Sequence, residues 1–178
     1  LDGRPNATQT EEIWISELIE QTLRRYPFVS PRERALVEWE RDFDFRLRGQ
    51  AVALTCVLYN LIKNALFSVH VTGAGRIQLL YRRSDDYNHL VVRDTGEGIP
   101  EHRLPRIFEQ FFTTRRGFEG IGMGLWTCRK IMEGLGGTIS CRSHYQRFAE
   151  FDLAFPDLEM DRATNPVARA PAARTGPP

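Results

Sequence analysis

The feature that most constrains this chain is one long segment with apolar residues at helical spacing. It follows Gly49 and runs about 20 residues, to near Val69. Its apolar positions recur every three to four residues, which predicts a helix with one continuous buried side. Gly73-Ala74-Gly75 then ends the helix. The buried stripe consists of Leu54, Val57, Leu58, Leu61, Ile62 and Ala65.

The segments around this helix alternate apolar and polar residues, which is the period of half-buried strands. Residues 77–81 and 90–93 alternate on either side of a polar turn at 85–88, and this predicts a hairpin. A second hairpin is predicted from residues 138–142 and 150–155, and one earlier strand from 43–47. Strand runs with few helices between them predict an α+β fold, with one mixed sheet and helices on one face.

Both ends of the chain differ in composition from the middle. Residues 1–10 are polar and are interpreted as disordered or as a linker, and Thr10 is expected to cap a helix over 11–25. Ser30-Pro31-Arg32-Glu33 is typical of a capping box that opens a short second helix. Residues 157–178, rich in Ala, Pro and Arg, are expected to form a disordered tail or linker. One domain is therefore expected over residues 11–156.

Charge and composition exclude several classes of function. The formal net charge is only +1, so we expect no nucleic-acid partner. We also expect no membrane-spanning segment, because no apolar run approaches the length of about 20 residues that a membrane span needs. The three cysteines form no C-x-x-C pair, and the first residues carry no signal peptide. These observations favour a cytoplasmic domain.

Two polar motifs follow the apolar pattern. Asn60 and Asn64 lie four residues apart, so they project from the same side of the long helix. Their amide groups could bind a cation and phosphates, or they could be ordinary surface asparagines. Asp94 ends an apolar strand and begins the sequence DTGEGIP. Its carboxylate only accepts hydrogen bonds, which suits an exocyclic amine such as that of adenine, although a plain polar turn would look the same.

Two further motifs precede the last helix. GIGMGL, at residues 120–125, places glycines at a helix start, where backbone N–H groups can surround a phosphate. A glycine cluster alone could equally be a flexible loop. Residues 108–116 combine three phenylalanines with Arg115 and Arg116, which could meet phosphates or simply form a solvated basic loop.

Together these motifs resemble the ATP-binding catalytic domain of sensor histidine kinases, within the GHKL ATPase superfamily. NLIKNA resembles the family's N box, DTGEGIP its G1 box, IFEQFFTT its F box and GIGMGL its G2 box. GGTISCRS and FDLAFP are similar to the end of that domain. The resemblance covers roughly residues 13–156.

The resemblance implies a two-layer α/β sandwich that binds ATP and Mg²⁺. It implies that Asp94 binds the adenine amine, that Asn64 is the Mg²⁺ ligand, and that Asn60 is the catalytic position. A Glu at that position activates water in the gyrase-like relatives, whereas an amide cannot act as a general base, so transfer is favoured over hydrolysis. The implied nucleotide-binding residues are Asn60, Lys63, Asn64, Asp94, Gly96, Gly98, Ile99, Thr113, Thr114, Arg115, Gly120, Gly122, Met123, Gly124 and Leu125.

The resemblance also implies partners. The acceptor histidine would lie on a separate dimerisation domain, which is absent from this chain, and a response regulator receiver domain would follow in the phosphorelay. The full-length protein would be a homodimer, with or without a membrane anchor. Two departures stand out: Phe67 replaces a common Lys, and Phe148-Ala149 replaces a common Gly-Thr. A non-catalytic nucleotide-binding module and an anti-sigma-factor-type serine kinase remain alternatives.

Overall fold

The structure is a computed structural model, and it describes residues 10–114 and 121–158. The described residues form seven strands, four α-helices and one 3-10 helix. In chain order the elements are β1 (Glu11–Trp14), α1 (Ile15–Arg25), α2 (Pro31–Ala35), β2 (Val37–Trp39), β3 (Arg46–Gly49), α3 (Ala51–Thr72), β4 (Ile77–Arg83), β5 (Tyr87–Asp94), the 3-10 helix (Glu101–Arg106), α4 (Gly124–Gly134), β6 (Thr138–His144) and β7 (Phe148–Pro156).

Five strands form the main sheet, in the spatial order β2-β4-β5-β7-β6. β2 pairs in parallel with β4, and the other neighbours are antiparallel, so the sheet is mixed. The register places Asp94, the last residue of β5, between Ile77 of β4 and Ala149 of β7. β1 and β3 form a separate two-stranded antiparallel sheet.

The helices α1, α3 and α4 pack together, and the core lies between them and one face of the sheet. Alternate residues of the central strands face this core, for example Leu90 and Val92 of β5 and Phe151 and Leu153 of β7. The predicted α+β fold, with one mixed sheet and helices on one face, is confirmed.

The central helix α3 has the buried stripe that the sequence predicts, extended by Leu66 and Val69. Each such side chain contributes about 1.5–3 kcal/mol when it is removed from water. Gly73 ends α3 with a φ of 73°, a left-handed conformation that favours glycine. By length and composition α3 could also cross a membrane, contrary to the expectation for this chain. In this fold, however, its apolar side is the centre of the core.

The N-terminal prediction needs correction. The first helix begins at Ile15 rather than at Glu11, because residues 11–14 are extended and pair with β3. Glu12 there also meets the guanidinium groups of Arg46 and Arg48 at 3.2 and 3.5 Å. Thr10 therefore does not cap the helix. The pairing is tertiary, so the helical spacing of the apolar residues could not reveal it.

The next segment is partly as predicted. Ser30 caps α2, and its hydroxyl accepts from the N–H of Glu33 at 3.1 Å. The Glu33 carboxylate accepts in turn from the N–H of Val29 at 2.7 Å. The short parallel strand β2 was not predicted, and the strand expected at 43–47 runs instead from Arg46 to Gly49.

The predicted tail starts too early. Asp157 and Leu158 are buried, and the Asp157 carboxylate lies 3.2 Å from the Arg83 guanidinium. The domain therefore extends at least to residue 158. Residues 1–9 and 159–178, where the remaining disorder predictions fall, lie outside the described residues.

Candidate functional site

A cavity of about 330 Å³ opens between α3, the loop after β5, the 3-10 helix and the start of α4. Most of the residues predicted to bind a nucleotide line it: Asn60, Lys63, Asn64, Asp94, Gly98, Ile99, Thr113, Thr114, Gly122, Met123, Gly124 and Leu125. The fold thus brings residues from all four sequence motifs to one place.

Three predicted residues are not among the lining residues. Arg115 and Gly120 lie outside the described residues. Gly96 is buried beside the cavity, and a Cβ atom there would collide with the backbone of Ser68. Gly96 therefore lets the loop after β5 approach α3 closely.

The cavity also has lining residues that were not among those predicted to bind the nucleotide. They are Phe67, Ser68, Glu97, Pro100, Arg103, Ile107, Phe112, Ile121, Ala149 and Phe151. Ser68 could have been found, because it continues the four-residue spacing of the two asparagines. Arg103 and Phe151 carry no local signal, since only the packing of the 3-10 helix and of β7 brings them here.

The amide of Asn60 has a defined orientation. Its Nδ2 donates to the carbonyl of Cys56 at 2.9 Å, which leaves its Oδ1 directed toward the start of α4. A Cβ atom at Gly124 would lie only 2.7 Å from that oxygen. A residue larger than glycine at position 124 would therefore displace the Asn60 amide. Asn64 lines the cavity one turn further along α3.

Asp94 is the buried charged residue of the cavity, and the residue is only 2% exposed. One carboxylate oxygen accepts from the N–H of Gly96 at 3.0 Å. Burial raises the pKa of Asp94 to about 6, while the nearby Ser68 hydroxyl, the Gly96 N–H and the charge of Arg93 partly lower it. The carboxylate is therefore largely ionised at neutral pH and able to accept a hydrogen bond.

The loop after β5 is held by the β6–β7 hairpin. The N–H of Ile99 donates to Ser143 Oγ at 2.7 Å, and this hydroxyl donates to the carbonyl of Phe148 at 2.6 Å. Gly98 has a φ of 67°, and a Cβ atom there would collide with the carbonyl of His144. The loop that follows Asp94 is thus fixed by its own glycines and by the neighbouring strands.

The start of α4 faces the cavity with its backbone. Gly122 has a φ of 72°, and its carbonyl accepts from the N–H of Phe111 at 2.9 Å. The N-cap residue of α4, Met123, makes no side-chain capping hydrogen bond. Unsatisfied N–H groups at a helix start, together with the helix dipole, make a site for an anion such as a phosphate.

The two departures from the family pattern have structural consequences. Phe148 lies on the outer face of the sheet, with the Arg93 guanidinium 4.2 Å from its ring centre. Its neighbour Ala149 faces the cavity and adds an apolar wall. Phe67 also lines the cavity and is 37% exposed.

A metal ion would have few protein ligands here. Within residues 10–114 and 121–158, no three His, Cys, Asp or Glu side chains are grouped so that they could hold a metal ion. Mg²⁺ bound to nucleotide phosphates keeps several waters and needs only one or two protein oxygens. An amide oxygen in the cavity is compatible with such an ion, whereas the described part of the chain contains no cluster of metal-binding side chains.

Comparisons with known proteins agree on the kind of domain. The family described as "Histidine kinase-, DNA gyrase B-, and HSP90-like ATPase" matches residues 49–159. The CAI-1 autoinducer sensor kinase/phosphatase CqsS of Vibrio cholerae is 32% identical over 147 residues, covering 83% of this chain and 21% of CqsS. The sensor histidine kinase RcsC of Escherichia coli K12 is 36% identical over 121 residues, covering 66% of this chain and 12% of RcsC.

Solved structures give the same result. The catalytic domain of histidine kinase ThkA superposes with a TM-score of 0.68 at 28% identity, covering 84% of this chain and 96% of that one. Full-length ShkA, in complex with AMPPNP, superposes with a TM-score of 0.68 at 25% identity, covering 83% of this chain and 31% of ShkA. The sensor-kinase relatives CqsS and RcsC are much longer than this chain, which spans about a fifth or less of each.

The buried acceptor Asp94, the amide pair on α3 and the glycine start of α4 surround one cavity, in a fold and a sequence shared with sensor kinases. The chain belongs to the histidine kinase-, DNA gyrase B- and HSP90-like ATPase family, as an ATP-binding catalytic domain of the sensor histidine kinase type.

Proposed function

We propose that this domain binds Mg-ATP in the cavity and donates the γ-phosphoryl group to a histidine on a separate dimerisation domain. The observation that carries the proposal is the grouping of Asp94, Asn64 and Gly124 around one cavity. A carboxylate acceptor, an amide oxygen and a backbone anion site are groups that can bind the adenine amine, Mg²⁺ and the phosphates of Mg-ATP. The named relatives are sensor kinases, so the serine-kinase and non-catalytic alternatives are not favoured.

The base would lie against Asp94. Its ionised carboxylate accepts a hydrogen bond from the exocyclic amine of adenine. Ile99, Ala149 and Phe151 line the cavity beside it and supply apolar surface for the flat ring. Phe67, where relatives commonly carry Lys, adds an aromatic ring to this surface in place of a charge.

The phosphates would lie toward α4 and the polar side of α3. Mg²⁺, when bound, neutralises the phosphate charge, and Asn64 is the residue proposed to hold it. The backbone of residues 122–125 and the cation of Lys63 would contact the phosphate oxygens. Thr113 and Thr114 also line the cavity there, next to residues 115–120, which lie outside the described residues.

Asn60 bears on the reaction type. Its Nδ2 is engaged with the carbonyl of Cys56, so the group facing α4 is a neutral amide oxygen. An amide does not remove a proton from water at neutral pH, so attack by water is not assisted here. Phosphoryl transfer depends mainly on positioning and charge neutralisation, which the cavity can provide.

The acceptor belongs to another domain. The chain has four histidines, His70, His89, His102 and His144, and none of them lines the cavity. We therefore propose a homodimeric full-length kinase whose dimerisation domain carries the histidine, with this domain in the cytoplasm. ThkA has been solved in complex with the response regulator protein TrrA, and a receiver domain is proposed as the next partner here too.

Two measurements test the proposal on the domain itself. Calorimetry should show one ATP bound per chain in the presence of Mg²⁺, and weaker binding in EDTA. No heat at millimolar ATP, from protein with a folded circular dichroism spectrum, would reject nucleotide binding. Added to a histidine-bearing dimerisation domain of its own full-length protein, the domain should produce acid-labile, base-stable phosphate from γ-labelled ATP, whereas acid-stable phosphoserine would reject the histidine acceptor.

A further inference from the structure

Ser68 is a polar residue in the core-facing part of the cavity, and it has no role in the proposed reaction described above. It continues the spacing of Asn60 and Asn64 along α3, and it lines the cavity beside Asp94. Its Oγ atom is buried and has no well-formed hydrogen bond within the part of the chain that the structure describes. A buried hydroxyl without a partner costs about 1–3 kcal/mol, so its presence requires a reason.

The surroundings of Ser68 are fixed by contacts from the loop after β5. The N–H of Glu97 donates to the carbonyl of Ser68 at 3.2 Å. Gly96 packs directly on Ser68, and the N–H of Gly96 donates to Asp94 Oδ1 at 3.0 Å. One turn of α3, the glycine and the carboxylate are therefore held together, with the Ser68 hydroxyl among them.

We propose that Ser68 is a positioning residue, whose hydroxyl turns to donate to the Asp94 carboxylate and thereby keeps it oriented and ionised as an acceptor for the base. The inference rests on the proposed function, because it names the residue that prepares Asp94 for the adenine amine. A carboxylate that takes up a proton presents a donor on one oxygen and loses much of its attraction for an amine N–H.

Ser68 is suited to this role because few groups near Asp94 can act on its charge. The N–H of Gly96 already binds one oxygen, and Arg93 acts only through its charge. The Ser68 hydroxyl is the strongest of the influences that lower the pKa of Asp94, against the burial that raises it to about 6. The other ionisable groups near Asp94 or lining the same cavity are Cys141 of β6, Glu97 of the loop, Arg103 of the 3-10 helix and Lys63 of α3.

A purely structural role for Ser68 makes a different prediction. Alanine would fill nearly the same space and would remove a buried hydroxyl, which offsets the cost of a less favourable Asp94 charge, so Ser68→Ala should change the free energy of unfolding little. A serine kept for stability would instead lose stability on replacement. The proposal therefore separates an effect on binding from an effect on folding.

The experiment measures the dissociation constant of Mg-ATP between pH 5.5 and 8.5 for the wild type and Ser68→Ala. Without the hydroxyl, the pKa of Asp94 rises, so the acidic fall in affinity should move to higher pH. We expect binding that is about 3- to 10-fold weaker near pH 6.5 and close to the wild type at pH 8.5, since each pKa unit changes the ionised fraction by up to about tenfold. Ser140→Ala, an exposed serine on β6, is the matched control and should follow the wild-type profile.

A second ligand shows whether Ser68 acts through Asp94. Purine riboside triphosphate lacks the exocyclic amine, so its binding should be nearly insensitive to Ser68→Ala. An equal loss for both ligands, or a pH profile identical to the wild type, would overturn the proposal. A wild-type domain that binds no ATP at any pH would instead reject the proposed function itself.

Direct titration keeps the test valid if Ser68→Ala does not fold. The carboxyl ¹³C shift of Asp94 can be followed with pH in the wild type and in Ser68→Cys, whose thiol is a much weaker donor of similar size. A higher midpoint in Ser68→Cys supports the proposal. An unchanged midpoint contradicts it.

Discussion

Asp94→Asn should have opposite effects on nucleotide binding and on stability. The substitution removes the buried charge but keeps an oxygen that can accept from the N–H of Gly96, so the local geometry can persist. Burial raises the pKa of Asp94 from 3.8 to about 6. At 1.36 kcal/mol per unit, this rise means that the ionised group destabilises the nucleotide-free fold by roughly 3 kcal/mol at neutral pH.

The size of this stability penalty depends on pH in a defined way. Because the folded-state pKa lies above the unfolded value, the penalty is fully present above pH 6, shrinks as pH falls toward 4, and is absent below it, where both states are protonated. Asparagine has no such penalty at any pH. We therefore expect Asp94→Asn to raise the free energy of unfolding by about 1–3 kcal/mol at pH 7.5 and by at most about 1 kcal/mol at pH 4.5.

Binding should change in the other direction. Loss of a charged hydrogen bond to the adenine amine should weaken Mg-ATP binding by roughly 1.5–3 kcal/mol, which is about ten- to a hundredfold. Urea denaturation without nucleotide at both pH values, and calorimetry with Mg-ATP at pH 7.5, measure the two effects. Asp85→Asn, in the exposed β4–β5 turn, is the control and should change neither.

Three results would refute this reasoning. A loss of stability at pH 7.5 would show that the Asp94 carboxylate is favourable in the free fold rather than penalised by burial. Unchanged affinity for ATP would show that the base does not contact Asp94. A gain in stability that is equal at both pH values would mean that the carboxylate titrates normally.

Three further predictions concern the cavity and the sheet. Gly124→Ala should weaken Mg-ATP binding at least about tenfold in calorimetry, with a native circular dichroism spectrum, because the new methyl would press on Asn60 Oδ1. Arg103→Ala should weaken the binding of ATP more than the binding of adenosine, because the guanidinium is expected to contact the phosphates. Arg129→Ala, on the outside of α4, should affect the binding of neither ligand. Three arginines outweigh burial and lower the pKa of the Glu150 carboxyl to about 2. Glu150→Gln should therefore lower the free energy of unfolding by about 1–3 kcal/mol in urea denaturation at pH 7, and by progressively less as pH falls from 4.5 toward 2.

The sequence reveals features whose causes are local. The spacing of apolar residues predicts α3, and alternation predicts the two hairpins, because each pattern reports which side of one element is buried. The Ser30 cap of α2 is readable for the same reason, since its partners lie within four residues. The chemistry of the site motifs also follows from residue type alone: the ionised Asp94 carboxylate can only accept hydrogen bonds, and the Asn60 amide cannot act as a base.

The sequence could not reveal features that depend on distant pairing. Residues 11–14 have a helical pattern, yet they are extended, because the edge of β3 satisfies their backbone groups. β2 is too short to show a period and forms because β4 is available beside it. In the same way, Arg103, Ala149 and Phe151 join the cavity only through the packing of elements that are distant in the chain.

By itself the sequence determined the α+β class, the order of the motifs and the chemical character of Asp94, Asn60 and Asn64. The tertiary structure decided the rest. It buried Asp94 and so raised its pKa, it directed the oxygen of Asn60 toward Gly124, and it placed the Ser68 hydroxyl beside the carboxylate. The physical reason is that hydrogen-bonding capacity belongs to a residue type, whereas desolvation and orientation arise only from the groups packed around it.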